Sequence, residues 1–140
     1  MNIDHAVLWV DSAETSLGFY CDVIGLQPVR AQEFNEGTAA FPSVRVNDTT
    51  ILDLMERNAA SAVQEFTGGG AGAGQPVNHI CLCMEAVEYS ALTARLRAHG
   101  VELTSGGQQS FGAQGLAEDS MYFRDPDDNV IEIRHYDKAR

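Results

Sequence analysis

Residues 122–133 read YFRDPDDNVIEI, and this stretch contains two features that organise the rest of the chain. Its centre, the five residues DPDDN at 125–129, consists of turn-forming residues between two apolar runs of strand character. The stretch therefore predicts two strands joined by a hairpin turn. Glu132 lies inside the apolar second strand, where a carboxylate is costly to bury unless it is paired or binds a cation.

Outside this hairpin, the sequence predicts the same order of elements in both halves of the chain. In the first half, a strand is followed by an amphipathic helix in which Asp11 and Glu14 form a capping-box pattern and Gly25 provides the C-terminal stop. In the second half, the corresponding helix stops at Gly100. Three strands follow each helix, so the predicted fold is α+β with two βαβββ modules. The predicted strands are IDHAVLWV, LQPVRAQEF, TAAFPSVRV and TTILDLMER in the first half, and VNHICLCM, VELTSGGQQS, GLAEDSMYFRD and NVIEIRHY in the second.

The chain length favours one domain, residues 1–140, made of both modules. Module one covers residues 1–57, a linker covers 58–75, and module two covers 76–140. The linker is rich in glycine, but it lacks the Gly-Lys-Ser/Thr entry into a helix that a phosphate-binding loop requires. We therefore expect a flexible connector there.

Composition excludes several classes of partner. The formal charge is −11, with one lysine and eight arginines, so neither nucleic acid nor an anionic membrane surface is an expected partner. No segment is apolar for long enough to span a membrane, and the N-terminus lacks the pattern of a signal peptide. We expect a cytoplasmic protein. Its three cysteines have no C-x-x-C spacing, which argues against a disulfide framework and a zinc ribbon.

The repeat matches two histidines and two carboxylates. His5 and His79 each stand at the centre of the first predicted strand of their half, 20 and 21 residues before Gly25 and Gly100. Asp53 in ILDL and Glu132 in VIEI are each a single acid inside an apolar run of the strand that closes its half. A lone histidine in an apolar strand is more often a core residue than a ligand, but here the pattern occurs twice. If the two sheets curve toward each other, these side chains form a set of nitrogen and oxygen donors that suits zinc, nickel, manganese, iron or cobalt.

The order of elements, the first-strand histidines and above all YFRDPDDNVIEI resemble the vicinal oxygen chelate superfamily. This superfamily includes glyoxalase I, extradiol dioxygenases and bleomycin-resistance proteins. The resemblance implies a curved, cup-shaped mixed sheet that surrounds a divalent metal held by His5, His79 and Glu132. Asp53 matches a fourth acidic position, where a glutamate is usual. Because aspartate is one methylene shorter, Asp53 is either a ligand, a water-mediated contact or a catalytic base alongside Glu132.

A second departure from the family pattern is in the turn, where the family commonly has DPDGN and this chain has Asp128 in place of the glycine. That position is predicted to be left-handed, a conformation that aspartate tolerates better than most residues. We therefore expect a small stability cost and no effect on function.

The resemblance implies an enzyme that acts on a small molecule. The first hypothesis is a glyoxalase-I-like lyase or isomerase, in which the metal binds two neighbouring substrate oxygens and stabilises an enolate. One alternative is an Fe(II)-dependent ring-cleaving dioxygenase. Another is a protein that sequesters a drug without catalysis, as bleomycin-resistance proteins do. A fosfomycin thiol transferase fits less well, because that activity uses a well-placed lysine and the only one here is Lys138.

Four further residues are candidates for substrate contact: Trp9, Cys81, Tyr122 and Arg134. Trp9 shares a strand face with His5, and a core role is its simplest explanation. Arg134 lies two residues after Glu132 on the same face, and it either contacts an anionic substrate or lies solvated at the rim. Cys81 is interpreted as a small pocket-wall residue. We also predict a homodimer.

Overall fold

The computed structural model describes residues 3, 5–61, 79–106, 111–112 and 115–136. The chain divides into two compact units, an N-terminal unit Met1–Pro76 and a C-terminal unit Val77–Arg140. Most of the predicted linker lies outside the described residues. No helix in the described part is long and apolar enough to cross a membrane.

The N-terminal unit contains one four-stranded mixed sheet with the strand order β1-β4-β3-β2. Strand β1 is parallel to β4, and the other neighbours are antiparallel. The predicted βαβββ order is therefore confirmed for this unit. Its elements are β1 (His5–Val10), α1 (Ala13–Gly18), a π-helical turn (Phe19–Ile24), β2 (Gln27–Val29), α2 (Ala31–Asn35), β3 (Ser43–Asn47), β4 (Thr50–Glu56) and a 3₁₀ turn (Arg57–Ala59).

One face of this sheet forms the apolar core of the N-terminal unit. Because side chains alternate along a strand, Leu8 and Val10 of β1 and Leu52 and Leu54 of β4 share this face, and all four are buried. Tyr20 of the π-helical turn is also fully buried. Each such side chain contributes about 1.5–3 kcal/mol through burial. The opposite face carries His5, Trp9 and Asp53, which are described below.

The first helix begins one residue later than its sequence pattern predicted. Ser12, and not Asp11, is the N-cap, and its side chain accepts a hydrogen bond from the Thr15 amide. The Asp11 carboxylate instead pairs with Arg57 at the end of β4. The predicted stop at Gly25 is confirmed by its left-handed φ of 91°.

The segment LQPVRAQEF is only partly a strand. After β2 the chain turns through Arg30, whose φ of 56° is left-handed, and then enters the short helix α2. The Arg30 guanidinium lies 4.6 Å from the centre of the Phe41 ring, a cation–π contact that favours this conformation. None of the residues in α2 is buried, so no core packing holds these good helix formers in a strand.

The C-terminal unit repeats the architecture, with the strand order β5-β10-β9-β6. Strand β5 is parallel to β10, and β9 is antiparallel to both β10 and β6. The second predicted βαβββ order and the α+β class are thus confirmed, with an additional two-stranded ribbon formed by β7 and β8. The elements are β5 (Ile80–Cys83), α3 (Ala86–Ala98), β6 (Thr104–Ser105), β7 (Phe111–Gly112), β8 (Gly115–Leu116), β9 (Asp119–Arg124) and β10 (Val130–His135).

The hairpin between β9 and β10 forms as predicted. Asp128 has a φ of 65°, which confirms the left-handed position. The Asp125 side chain accepts hydrogen bonds from the amides of Asp127 and Asn129, each at 2.9 Å. Ile131 and Ile133 of β10 are fully buried on the core face. The hairpin therefore places Glu132, which lies between them in sequence, on the opposite face of a central strand.

Candidate metal centre

Glu132 is the centre of a polar cluster in the C-terminal unit, and its side chain is only 1% exposed. Its Oε1 accepts a hydrogen bond from Arg134 Nη2 at 2.5 Å, and its Oε2 lies 3.2 Å from His79 Nε2. Burial alone would raise the pKa of Glu132. The hydrogen bond and charge of Arg134, with further donation from Tyr122 and Cys81, outweigh burial and lower the pKa below its ordinary value. Glu132 is therefore a buried carboxylate that is ionised at neutral pH.

The spacing of Glu132 and His79 matches that of two ligands on one ion. Donors that bind a metal at about 2.1 Å, with roughly 90–110° between them, lie about 3.0–3.4 Å apart. The observed distance from Oε2 to Nε2 is 3.2 Å, which lies in this range and is also the length of a direct ion pair between the two side chains. His79 immediately precedes β5 and is about one-third exposed, so its ring stands at the edge of the sheet. The sequence pattern predicted both histidines at strand centres, but His5 is the first residue of β1 and His79 immediately precedes β5.

Tyr122 and Cys81 flank Glu132 on the two neighbouring strands, since both are its partners in register. The Tyr122 ring packs edge-on against His79, with 5.5 Å between ring centres. The pKa of the Cys81 thiol is raised to about 11, first by desolvation and then by the charge of Glu132. Because this thiol is neutral at pH 7, it is poorly suited to act as a nucleophile or as a thiolate ligand.

Arg134 is buried beside Glu132 and is only 6% exposed. Besides its bond to Glu132, its Nη1 lies 3.3 Å from the Tyr136 hydroxyl, a residue that the sequence pattern did not single out. The hypothesis of a solvated position at the rim is therefore wrong. Contact with an anionic substrate stays a prediction.

Asp53 occupies the equivalent place in the N-terminal unit. It is 6% exposed, and its Oδ1 accepts a hydrogen bond of 2.6 Å from the hydroxyl of Ser43, which is fully buried. Arg45, an arginine on the same strand as Ser43, donates to the backbone oxygens of Asn47 and Asp48. Sequence reasoning missed Ser43, because a serine at the start of β3 does not by itself indicate a buried hydrogen bond to Asp53.

His5 and Trp9 share the sheet face of Asp53. In the parallel pair of β1 and β4, Val7 is the register partner of Asp53, and His5 and Trp9 lie two residues to either side of Val7. Residues two apart on a strand point to one face, so the three side chains are on the same side of this sheet. His5 is exposed and Trp9 is half-buried.

The structure thus brings His79, Cys81, Tyr122, Glu132 and Arg134 together in one unit, and places His5, Trp9 and Asp53 on one face of the other. Among the described residues, no group of three or more His, Cys, Asp or Glu side chains is arranged to hold a metal ion. The pair of His79 and Glu132 nevertheless fits a divalent cation in donor chemistry and spacing.

Each unit is a βαβββ module with a histidine at the start of its first strand and a carboxylate in its last strand. That arrangement defines the class of vicinal oxygen chelate proteins. The chain belongs to the Glyoxalase/Bleomycin resistance protein/Dioxygenase superfamily, whose family model matches residues 2–133.

Two characterised relatives align with nearly the whole chain. Virulence protein STM3117 of Salmonella typhimurium is 29% identical over 134 residues, which are 96% of this chain and 83% of that protein. Catechol-2,3-dioxygenase of Bacillus subtilis is 26% identical over 136 residues, or 94% of this chain. The match spans only 40% of the dioxygenase.

Solved structures show the same fold. An integron cassette protein from the mobile metagenome of V. cholerae is 26% identical, with a TM-score of 0.69 over 98% of this chain and 96% of that one. Two structures below 25% identity show the fold alone. One is a lactoylglutathione lyase from Agrobacterium tumefaciens, with 21% identity, a TM-score of 0.66 and coverage of 96% and 92%. The other is the antibiotic-binding protein TnmS3 from a Streptomyces species, with 19% identity, a TM-score of 0.64 and coverage of 98% and 97%.

Proposed function

We propose that this protein is a divalent-metal-dependent enzyme of the lyase or isomerase type that acts on a small molecule with two neighbouring oxygens. The observation that carries the proposal is the buried, ionised Glu132 with its Oε2 at 3.2 Å from His79 Nε2. His79 and Glu132 are the proposed ligands in the C-terminal unit. His5, and Asp53 as a further candidate, come from the repeat and from the superfamily pattern. Homodimerisation is part of the same proposal.

When bound, the metal would act as a Lewis acid on the substrate oxygens. The protein's own contribution is to hold donors and to move a proton. Glu132 stays ionised because Arg134 offsets the cost of burying its charge. Asp53 is held through Oδ1 by Ser43, so Oδ2 is the oxygen we assign to proton transfer with a substrate carbon.

Metal analysis of purified variants tests the proposal. Wild type should bind a divalent metal stoichiometrically, while His79→Ala and Glu132→Gln should not. His99→Ala is the matched control, because His99 caps helix α3 in the same unit and is exposed. A His5→Ala variant tests separately whether His5, which is proposed from the repeat and the superfamily pattern, is a ligand. Retention of the metal by both His79→Ala and Glu132→Gln would contradict the assignment.

A ring-cleaving dioxygenase is the second candidate function, supported by the 26% identity to catechol-2,3-dioxygenase. The two activities separate in one comparison. A lyase should convert the adduct of a 2-oxoaldehyde and a thiol without consuming oxygen, whereas a dioxygenase should load Fe(II) and consume oxygen with a catechol. Absence of both activities together with tight binding of a cationic drug would favour sequestration instead.

A further inference from the structure

Arg134 contacts Glu132 in a geometry that can fix the orientation of the carboxylate as well as balance its charge. The two residues are two apart on β10 and share one sheet face, and both are almost completely buried. Arg134 uses its two terminal nitrogens separately. Nη2 donates to Glu132 Oε1, and Nη1 reaches the Tyr136 hydroxyl at 3.3 Å. A planar guanidinium with a partner on each terminal nitrogen has little freedom to rotate.

Because of this contact, the two Glu132 oxygens have different partners. Oε1 is engaged by Arg134, while Oε2 is the oxygen nearest His79 Nε2. A carboxylate can bind a cation through one oxygen or through both. An arginine fixed on Oε1 opposes the two-oxygen mode.

We propose that Arg134 is a positioning residue that presents Glu132 to a divalent cation through Oε2 alone. This inference rests on the proposed function, because it takes Glu132 and His79 as ligands. Its consequence is that Glu132 occupies one coordination position and leaves another for the substrate. Residues that orient a metal ligand in this way commonly contribute about 10–100-fold to metal affinity.

The test uses Co(II) as the probe, because its visible absorption reports coordination number as well as binding. Arg134→Leu removes the guanidinium's contacts with Glu132 and Tyr136. Arg134→Lys keeps the charge but replaces the planar guanidinium, whose two terminal nitrogens contact Glu132 and Tyr136, with one flexible ammonium group that does not hold the same fixed geometry. Arg124→Gln is the matched control on the neighbouring strand, since the side chain of Arg124 is exposed and donates to the backbone oxygen of Asp128 in the hairpin turn.

Arg134→Leu should bind Co(II) about 10–100-fold more weakly than wild type. Its visible bands should also weaken, because a second carboxylate oxygen raises the coordination number. Arg134→Lys should change the spectrum in the same direction with a smaller loss of affinity, and it carries the test alone if the leucine variant does not fold. The control should match wild type.

Two results would overturn the inference, and they are distinguishable. If wild type binds Co(II) and the folded Arg134 variants match it in affinity and spectrum, the positioning role is wrong and the proposed function stands. If wild type binds no Co(II), the proposed function itself is wrong, and the role assigned to Arg134 is lost with it.

Discussion

Removing the Ser43 hydroxyl should destabilise the N-terminal unit by an amount that the structure allows us to estimate. Ser43→Ala deletes a 2.6 Å hydrogen bond to the Asp53 carboxylate, between a fully buried residue and one that is 6% exposed. Hydrogen bonds to charged groups contribute about 1.5–3 kcal/mol, and a buried acceptor that loses its donor also loses its compensation for leaving water. The cavity left by one hydroxyl is small. We therefore expect the free energy of unfolding to fall by about 2–3 kcal/mol.

Urea denaturation followed by circular dichroism measures this change. Thr38→Ala is the control, because it also removes one hydroxyl, but from an exposed 3.1 Å bond to the Glu33 backbone oxygen. The control should stay within about 0.5 kcal/mol of wild type. Combining Ser43→Ala with Asp53→Asn should show that the two changes are not additive. A Ser43→Ala loss no larger than that of the control, or full additivity in the double variant, would refute the reasoning that Ser43 holds Asp53.

Three further predictions address the C-terminal unit. Gly106→Ala should lower the free energy of unfolding in urea by about 1–3 kcal/mol, because a Cβ there would overlap Ser120 Oγ and lie 2.8 Å from Tyr122 Cε2; a variant as stable as wild type would contradict this packing. In a variant in which Cys21 and Cys83 are replaced by serine, Cys81 should react with iodoacetamide at pH 8 roughly 100-fold more slowly than a free thiol. The reaction should become faster as the pH approaches 11. Glu132→Gln should raise that rate, and alkylation of Cys81 at the free-thiol rate would contradict the raised pKa. Asp128→Val should lower the free energy of unfolding by about 1–2 kcal/mol relative to Asp128→Gly, since the position has a φ of 65°; equal stabilities would count against left-handed strain.

The sequence predicted the βαβββ repeat because each half carries its own local signals. Alternating apolar residues set the strands, Gly25 ends the first helix, and the hairpin turn at Asp128 is left-handed as its family position requires. The local pattern did not distinguish two adjacent residues that can both cap a helix. Ser12 caps the first helix, and Asp11 pairs with Arg57 instead.

The sequence predicted the strand faces of the site residues better than it predicted their contacts. Strand alternation placed Arg134 on the face of Glu132, but periodicity does not distinguish a solvated rim from a buried ion pair, because that depends on how neighbouring strands cover the arginine. The partner of Asp53 was missed for a related reason. A single serine in an apolar strand carries no signal until strand register places it opposite Asp53.

The central claim is that Glu132 Oε2 and His79 Nε2 bind one divalent cation. Anomalous X-ray diffraction from crystals grown with Mn(II) or Co(II) tests it most directly, because the signal locates the ion without assumptions about activity. The account predicts an anomalous peak about 2.0–2.2 Å from both atoms, with Oε1 still bonded to Arg134. A fully occupied peak elsewhere in the molecule, with no peak between these two atoms, would contradict it.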